Sequence, residues 1–186
     1  MNKRNTNKRI KNWILSTTKA VDMDIELKIM HTGINMSYDF IYHFLCCDMN
    51  RVLKARNSMK QLIPIESYVK TLTLHELGHA MDRDALLKSL PKTIEIFKMK
   101  RNHLPSEYQE NAKLLQMLID EHVMNIEFEE TAWRHAETLN RLYEVVNWYD
   151  FQLVKDHSLY TYRALYEFDL RHFNSLVMKE DSVAVG

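Results

Sequence analysis

Ile25-Glu26-Leu27-Lys28-Ile29-Met30 alternates apolar with charged positions, the two-residue period of a strand with one buried face. Ahead of it, Ile10 to Val21 predicts a short amphipathic helix. His31-Thr32-Gly33 closes the strand, and Tyr38 to Cys46, dense in aromatic and β-branched residues, suits a second strand or a helix. Arg51-Val52-Leu53-Lys54-Ala55 reads as a third, set off by the turn formers Asp48 and Asn50. Pro64 then opens a long helix from about Ile65 to Asp84, since proline is well tolerated in a first helical turn. Helix resumes over Ala85 to Lys100 with a break or restart at Pro91. His103-Leu104-Pro105-Ser106 reads as a loop, and Ser106 starts a helix that runs to about Asn140. Two further helical segments, rich in Tyr and Phe, fill Leu142 to Val177. This order predicts an α+β fold, predominantly α: a small antiparallel or mixed sheet leads into one long helix, and the C-terminal half is helical.

Composition supports the helical emphasis, because glycine and proline number three each and break the pattern rarely. The length suits a single domain over residues 10–178, between a basic flexible N-terminus (1–9) and a loose tail (179–186). Net charge is zero, so no global electrostatic attraction to nucleic acid is expected. Lys3, Arg4, Lys8, Arg9 and Lys11 cluster locally, the pattern of a solvated terminus. Trp13-Ile14-Leu15 is cut short by Ser16 to Lys19, too brief for a signal peptide, and no window approaches the ~20 apolar residues of a membrane span. The two cysteines, Cys46 and Cys47, are adjacent, which suits neither a disulfide framework nor a zinc pair and predicts a reducing cytoplasm.

The chemistry concentrates in the long helix, where residues 75 to 79 read His-Glu-Leu-Gly-His. Positions four apart share a helical face, so His75 and His79 aim two imidazoles at one point, the geometry that zinc requires. Glu76 stands near enough to act as a base on the open side of such an ion. Gly78 sits between the histidines at a cost of about 0.8–1.0 kcal/mol relative to alanine. In a chain so poor in glycine, it predicts a second segment approaching closely beside the ligands.

Catalytic zinc takes a third protein ligand and leaves a fourth position open. Helical phase selects among the glutamates of the acidic stretch 127 to 130. Glu129 shares a stripe with Ile126, Ala132, Trp133 and Ala136, whereas Glu127 and Glu130 share theirs with Arg134. A carboxylate on an apolar face needs a partner, and zinc is one. His122 lies two turns earlier on that face, too far to join the same ion. Asp82, one turn past His79, either orients a ligand histidine or caps the helix end.

His75-Glu76-Leu77-Gly78-His79-Ala80, with Glu129-x-x-Ala132 downstream, resembles the gluzincin branch of zinc metallopeptidases, nearest the small cytoplasmic peptidases related to ImmA and IrrE. The likeness covers about a third of the chain. It implies a zincin-like domain with one Zn2+ per chain on His75, His79 and Glu129. It also implies Glu76 as general base for hydrolysis through a zinc-bound water, a peptide or protein substrate, and an endopeptidase activity. Families of this type pair the substrate with an edge strand, which would here be Arg51 to Ala55, with Val52 and Leu53 at its centre. The chain departs from the group in a longer interval between His79 and Glu129. It also carries Trp133 and His135 where Asn and Phe usually follow the second motif, and it has no helix-turn-helix segment. An electrophile facing the oxyanion is expected from the C-terminal helices, with Tyr143, Tyr149, Tyr160, Tyr162 and His172 as candidates. Two rival readings are a non-catalytic zinc-stabilised protein-interaction domain and a metal-free helical protein. The sequence leaves oligomeric state open.

Overall fold

A computed structural model describes residues 3–184, with the side chains of residues 4–179. It is an α+β fold, predominantly α, with one small sheet. The chain forms two compact units, one comprising Met1–Leu87 with Glu129–His157, the other Lys88–Phe128 with Ser158–Gly186.

The first unit begins with α1 (Lys3–Ala20). Thr6, Ile10, Ile14 and Thr17 form its buried stripe at three- and four-residue spacing and pack on α3 (Ile65–Met81). Because that stripe extends back to Thr6, the helix starts well before Ile10, and the expected flexible terminus is helical from Lys3 onward. Three strands follow, β1 (Glu26–Ile29), β2 (Met36–Asp39) and β3 (Phe44–Cys47), in spatial order β1-β3-β2. β1 runs parallel to β3 and β2 antiparallel to it, so the sheet is mixed and β2 is an edge.

Two sequence expectations fail here for local reasons. The stretch Tyr38 to Cys46 is a hairpin instead of one strand: Asp39 Oδ1 accepts from the Ile41 and Tyr42 amides, at 3.0 and 2.8 Å, and turns the chain. Arg51 to Ala55 lies inside α2 (Met49–Asn57). Asp48 caps that helix by accepting from the Asn50 and Arg51 amides, and its second oxygen takes the Gly33 amide at 3.2 Å. Burial opposes ionisation of Asp48, but these three amides outweigh it and hold the carboxyl below its usual range. Met49 and Val52, three apart, are the buried residues of α2, a helical spacing that the apparent alternation concealed.

Every residue of α3 from Thr71 to Gly78 is buried, so the motif helix is the central element of this unit. α4 (Arg83–Asn102), α6 (Ala112–Tyr143) and α7 (Trp148–Ala184) each contribute residues to both units. Within the first unit, α6 and α7 supply Ala132, Trp133, Ala136, Phe151 and Val154 to the core.

In the second unit, α4 passes through Pro91 without a break, forgoing one backbone donor. α5 (Pro105–Glu110) starts at Pro105 instead of Ser106, with Glu107 accepting from the Leu104 amide at 2.6 Å. Ile96, Met99, Leu115, Ile119 and Leu159 are its buried apolar residues. α7 is one helix where two segments were expected, and it continues to Ala184, past the start of the expected loose tail. Residues 185 and 186 of that tail lie outside the described residues. No helix among the described residues is long and apolar enough to cross a membrane.

Candidate metal centre

α3 carries His75 and His79 on one face, and α6 crosses that helix at Gly78. A β-carbon on Gly78 would lie 2.1 Å from the Ala132 carbonyl oxygen, inside any permitted contact. The missing side chain therefore sets how closely the helices approach, as its place in the motif predicts. One turn before Ala132, Glu129 projects toward the histidines. Its Oε2 lies 3.1 Å from His75 Nε2, and its Oε1 lies 3.3 Å from His79 Nε2. Glu129 is buried, Glu130 half-buried and Glu127 exposed, the ordering that helical phase selects.

The donor set, two imidazoles and a carboxylate, could hold a metal ion. Two ligand atoms at zinc distances, tetrahedrally arranged, stand about 3.3 Å apart. The three ligand atoms here lie within 4.8 Å of one another. Glu129 Oε2 is close to His75 Nε2 but outside hydrogen-bond geometry, so a buried carboxylate oxygen is left without a hydrogen-bond donor. An oxygen in that position costs stability unless a cation or donor meets it.

The electrostatics point the same way. Burial opposes ionisation of Glu129, yet the two histidines overcome it and hold the carboxyl far below the ordinary glutamate range. Burial opposes the charging of His79 as well, but Glu129, Glu76 and Asp82 outweigh it and raise the imidazole. Glu76 is itself buried, 5% exposed, and desolvation pushes its carboxyl up against the pull of the two histidines. The Tyr38 backbone adds a small pull in the same direction as the histidines. Asp82 forms the C-cap of α3, its amide bonded to the His79 carbonyl at 3.1 Å.

Val52 and Leu53 do not supply an edge strand, because both are helical. The strand beside Glu76 is β2. Asn35 and Asp39 turn their carbonyls toward β3, accepting from the Asp48 and His43 amides, so Met36, Tyr38 and Phe40 present their backbone groups to the outer edge. Much of that edge is already engaged. Asn35 Oδ1 takes the Met36 amide at 2.8 Å, and Arg83 Nε donates to the Phe40 carbonyl at 2.8 Å. The alternation Met36-Ser37-Tyr38-Asp39 after Gly33 was the sequence signal for this strand.

The other candidates scatter. Tyr160, Tyr162 and His172 belong to the second unit, where His172 Nε2 donates to the Gln109 carbonyl and His122 pairs with Asp169 at 2.8 Å. Tyr149 is exposed and accepts from Gln61, and Tyr143 is exposed as well. Sequence reasoning missed the packing of Trp133, whose indole stacks on the His75 ring at 4.3 Å between centroids.

Comparison with family models, curated proteins and solved structures returns no match, so the functional reading stands on these residues.

Proposed function

We propose that the protein is a zinc-dependent peptidase, with His75, His79 and Glu129 as the metal ligands and Glu76 as general base. The observation that carries this reading is the buried Glu129 carboxylate, one oxygen 3.1 Å from His75 Nε2 and the other 3.3 Å from His79 Nε2, with a second buried carboxylate one residue from His75. A structural zinc site takes four protein ligands and has no use for Glu76. When bound, the ion supplies Lewis acidity, polarising a carbonyl and acidifying a coordinated water.

The chain supplies the rest. Desolvation raises the Glu76 carboxyl above its ordinary value, the direction that strengthens a carboxylate as a base. The place for an extended peptide on this reading is along β2, the edge strand that packs on the motif helix. The substrate is therefore a peptide or protein segment in extended form. Two free cysteines, both buried, suit a reducing cytoplasm.

Metal analysis together with cleavage of a peptide library by wild type and Glu76→Gln tests the reading. One zinc per chain in both, with cleavage only by the wild type, is the expected result. Zinc held but nothing cleaved would favour a non-catalytic zinc-stabilised interaction domain. No zinc after reconstitution would end both readings and leave a metal-free helical protein.

A further inference from the structure

We propose that Trp133 is a positioning residue that fixes the plane of the His75 imidazole; the inference rests on the metal reading of His75. A ligand histidine ordinarily donates its second ring nitrogen to a carbonyl or carboxylate, which sets its tautomer and orientation. His75 Nδ1 is buried and has no such partner. Its Cβ–Cγ torsion is otherwise soft, since torsions onto a planar ring have broad minima. What faces the ring is the Trp133 indole, 4.3 Å away and inclined by 21°.

The shelf cannot move freely. Trp133 is fully buried, and the Phe151 ring meets it edge-on at 5.6 Å and 84°. Phe151 is backed in turn by Trp148, stacked at 5.4 Å and 8°. Trp133 also follows Glu129 by four residues on α6, so one helical face delivers both the third ligand and the plane that steadies the first. Ala132, between them, lies at the Gly78 crossing, which ties the height of the shelf to the approach of the two helices. The indole acts through its face and not its edge, because Nε1 is buried without an acceptor. A phenyl ring therefore substitutes for it, whereas an aliphatic side chain of comparable bulk does not.

The test uses the full chain as wild type, Trp133→Phe and Trp133→Leu, titrated with Zn2+ against a chromophoric chelator and with Co2+ by visible absorption. The expected result is near wild-type affinity and an unchanged cobalt spectrum for Trp133→Phe. For Trp133→Leu, affinity falls by about 10–100-fold and the cobalt bands change. A merely structural role would lower the melting temperature without altering the cobalt bands. Wild-type affinity and spectrum in a folded Trp133→Leu overturn the inference while leaving the metal site standing. No metal binding by the wild type overturns both together. Should Trp133→Leu fail to fold, the zinc-loaded wild type decides by NMR: the His75 ring protons resonate upfield of those of His79 if the indole covers them. The absence of that shift overturns the inference.

Discussion

Gly78 and Ala132 mark the point where the backbones of α3 and α6 touch, with room for a hydrogen and not for a methyl group. The geometry of the proposed metal site depends on this contact, because His75 and Glu129 each stand one turn before it. Gly78→Ala forces the helices apart against a rigid backbone atom. We expect a loss of about 1–3 kcal/mol or more in denaturant unfolding, despite the higher helix propensity of alanine. Zinc affinity should fall with it. A variant as stable as the wild type would show that α6 yields at no cost.

Glu129→Ala removes the one carboxylate that faces both imidazoles. Elemental analysis should find one zinc per wild-type chain and little or none in the variant after dialysis. Glu130→Ala, one position away on a half-buried surface, should keep its metal. Equal zinc in all three proteins would remove Glu129 from the ligand set.

Glu76→Gln preserves size and most hydrogen bonding while abolishing the base. Zinc content should stay at one per chain, and peptide cleavage should drop by about 10²–10⁴-fold. A parallel loss of metal would place Glu76 among the ligands instead.

The stability of the metal-free protein should respond to pH in the opposite sense to the effect of zinc. His79 is raised above its ordinary 6.5, so its contribution is complete below that value and is lost as pH rises through the folded pKa. Glu76, raised above 4.5 by burial, adds a loss in the same direction. Glu129, depressed by the histidines, stabilises above 4.5 and ceases to do so as pH falls through its low folded value. Metal-free stability should therefore peak between the ordinary glutamate and histidine values and decline on the alkaline side. Zinc needs a deprotonated His79, so its added stabilisation grows with pH. Melting curves with zinc and with chelator should diverge as pH rises above the ordinary histidine value of 6.5. Parallel curves would mean that no shared proton links the two.

Asn140 tests the scaffold without touching the metal. Its side chain both donates to the Val146 carbonyl, at 3.0 Å, and accepts the Val146 amide, at 2.9 Å, holding the turn from α6 into α7. Asn140→Ala leaves a buried amide and carbonyl unmet, which should cost about 1–3 kcal/mol. Unchanged unfolding would mean that water replaces both bonds.

By itself the sequence determined the features written in local periodicity. The four-residue spacing puts His75 and His79 on one face, phase sets Glu129 on the apolar stripe of α6, and a costly glycine between ligands announces a close neighbour. Such features survive because each depends on residues within a few turns of one helix. Tertiary structure decided what local pattern leaves ambiguous. Arg51 to Ala55 alternates well enough for a strand, yet Asp48 caps it as a helix, and one of that cap's three bonds comes from Gly33 in a separate loop. Tyr38 to Cys46 turns locally at Asp39, but the order β1-β3-β2, which leaves β2 at an edge, is set by strand pairing across the sheet. The distance between Glu129 and the imidazoles, and the indole against His75, exist only once α3 and α6 cross. Backbone approach is set by packing between segments more than fifty residues apart, and no window of sequence contains it.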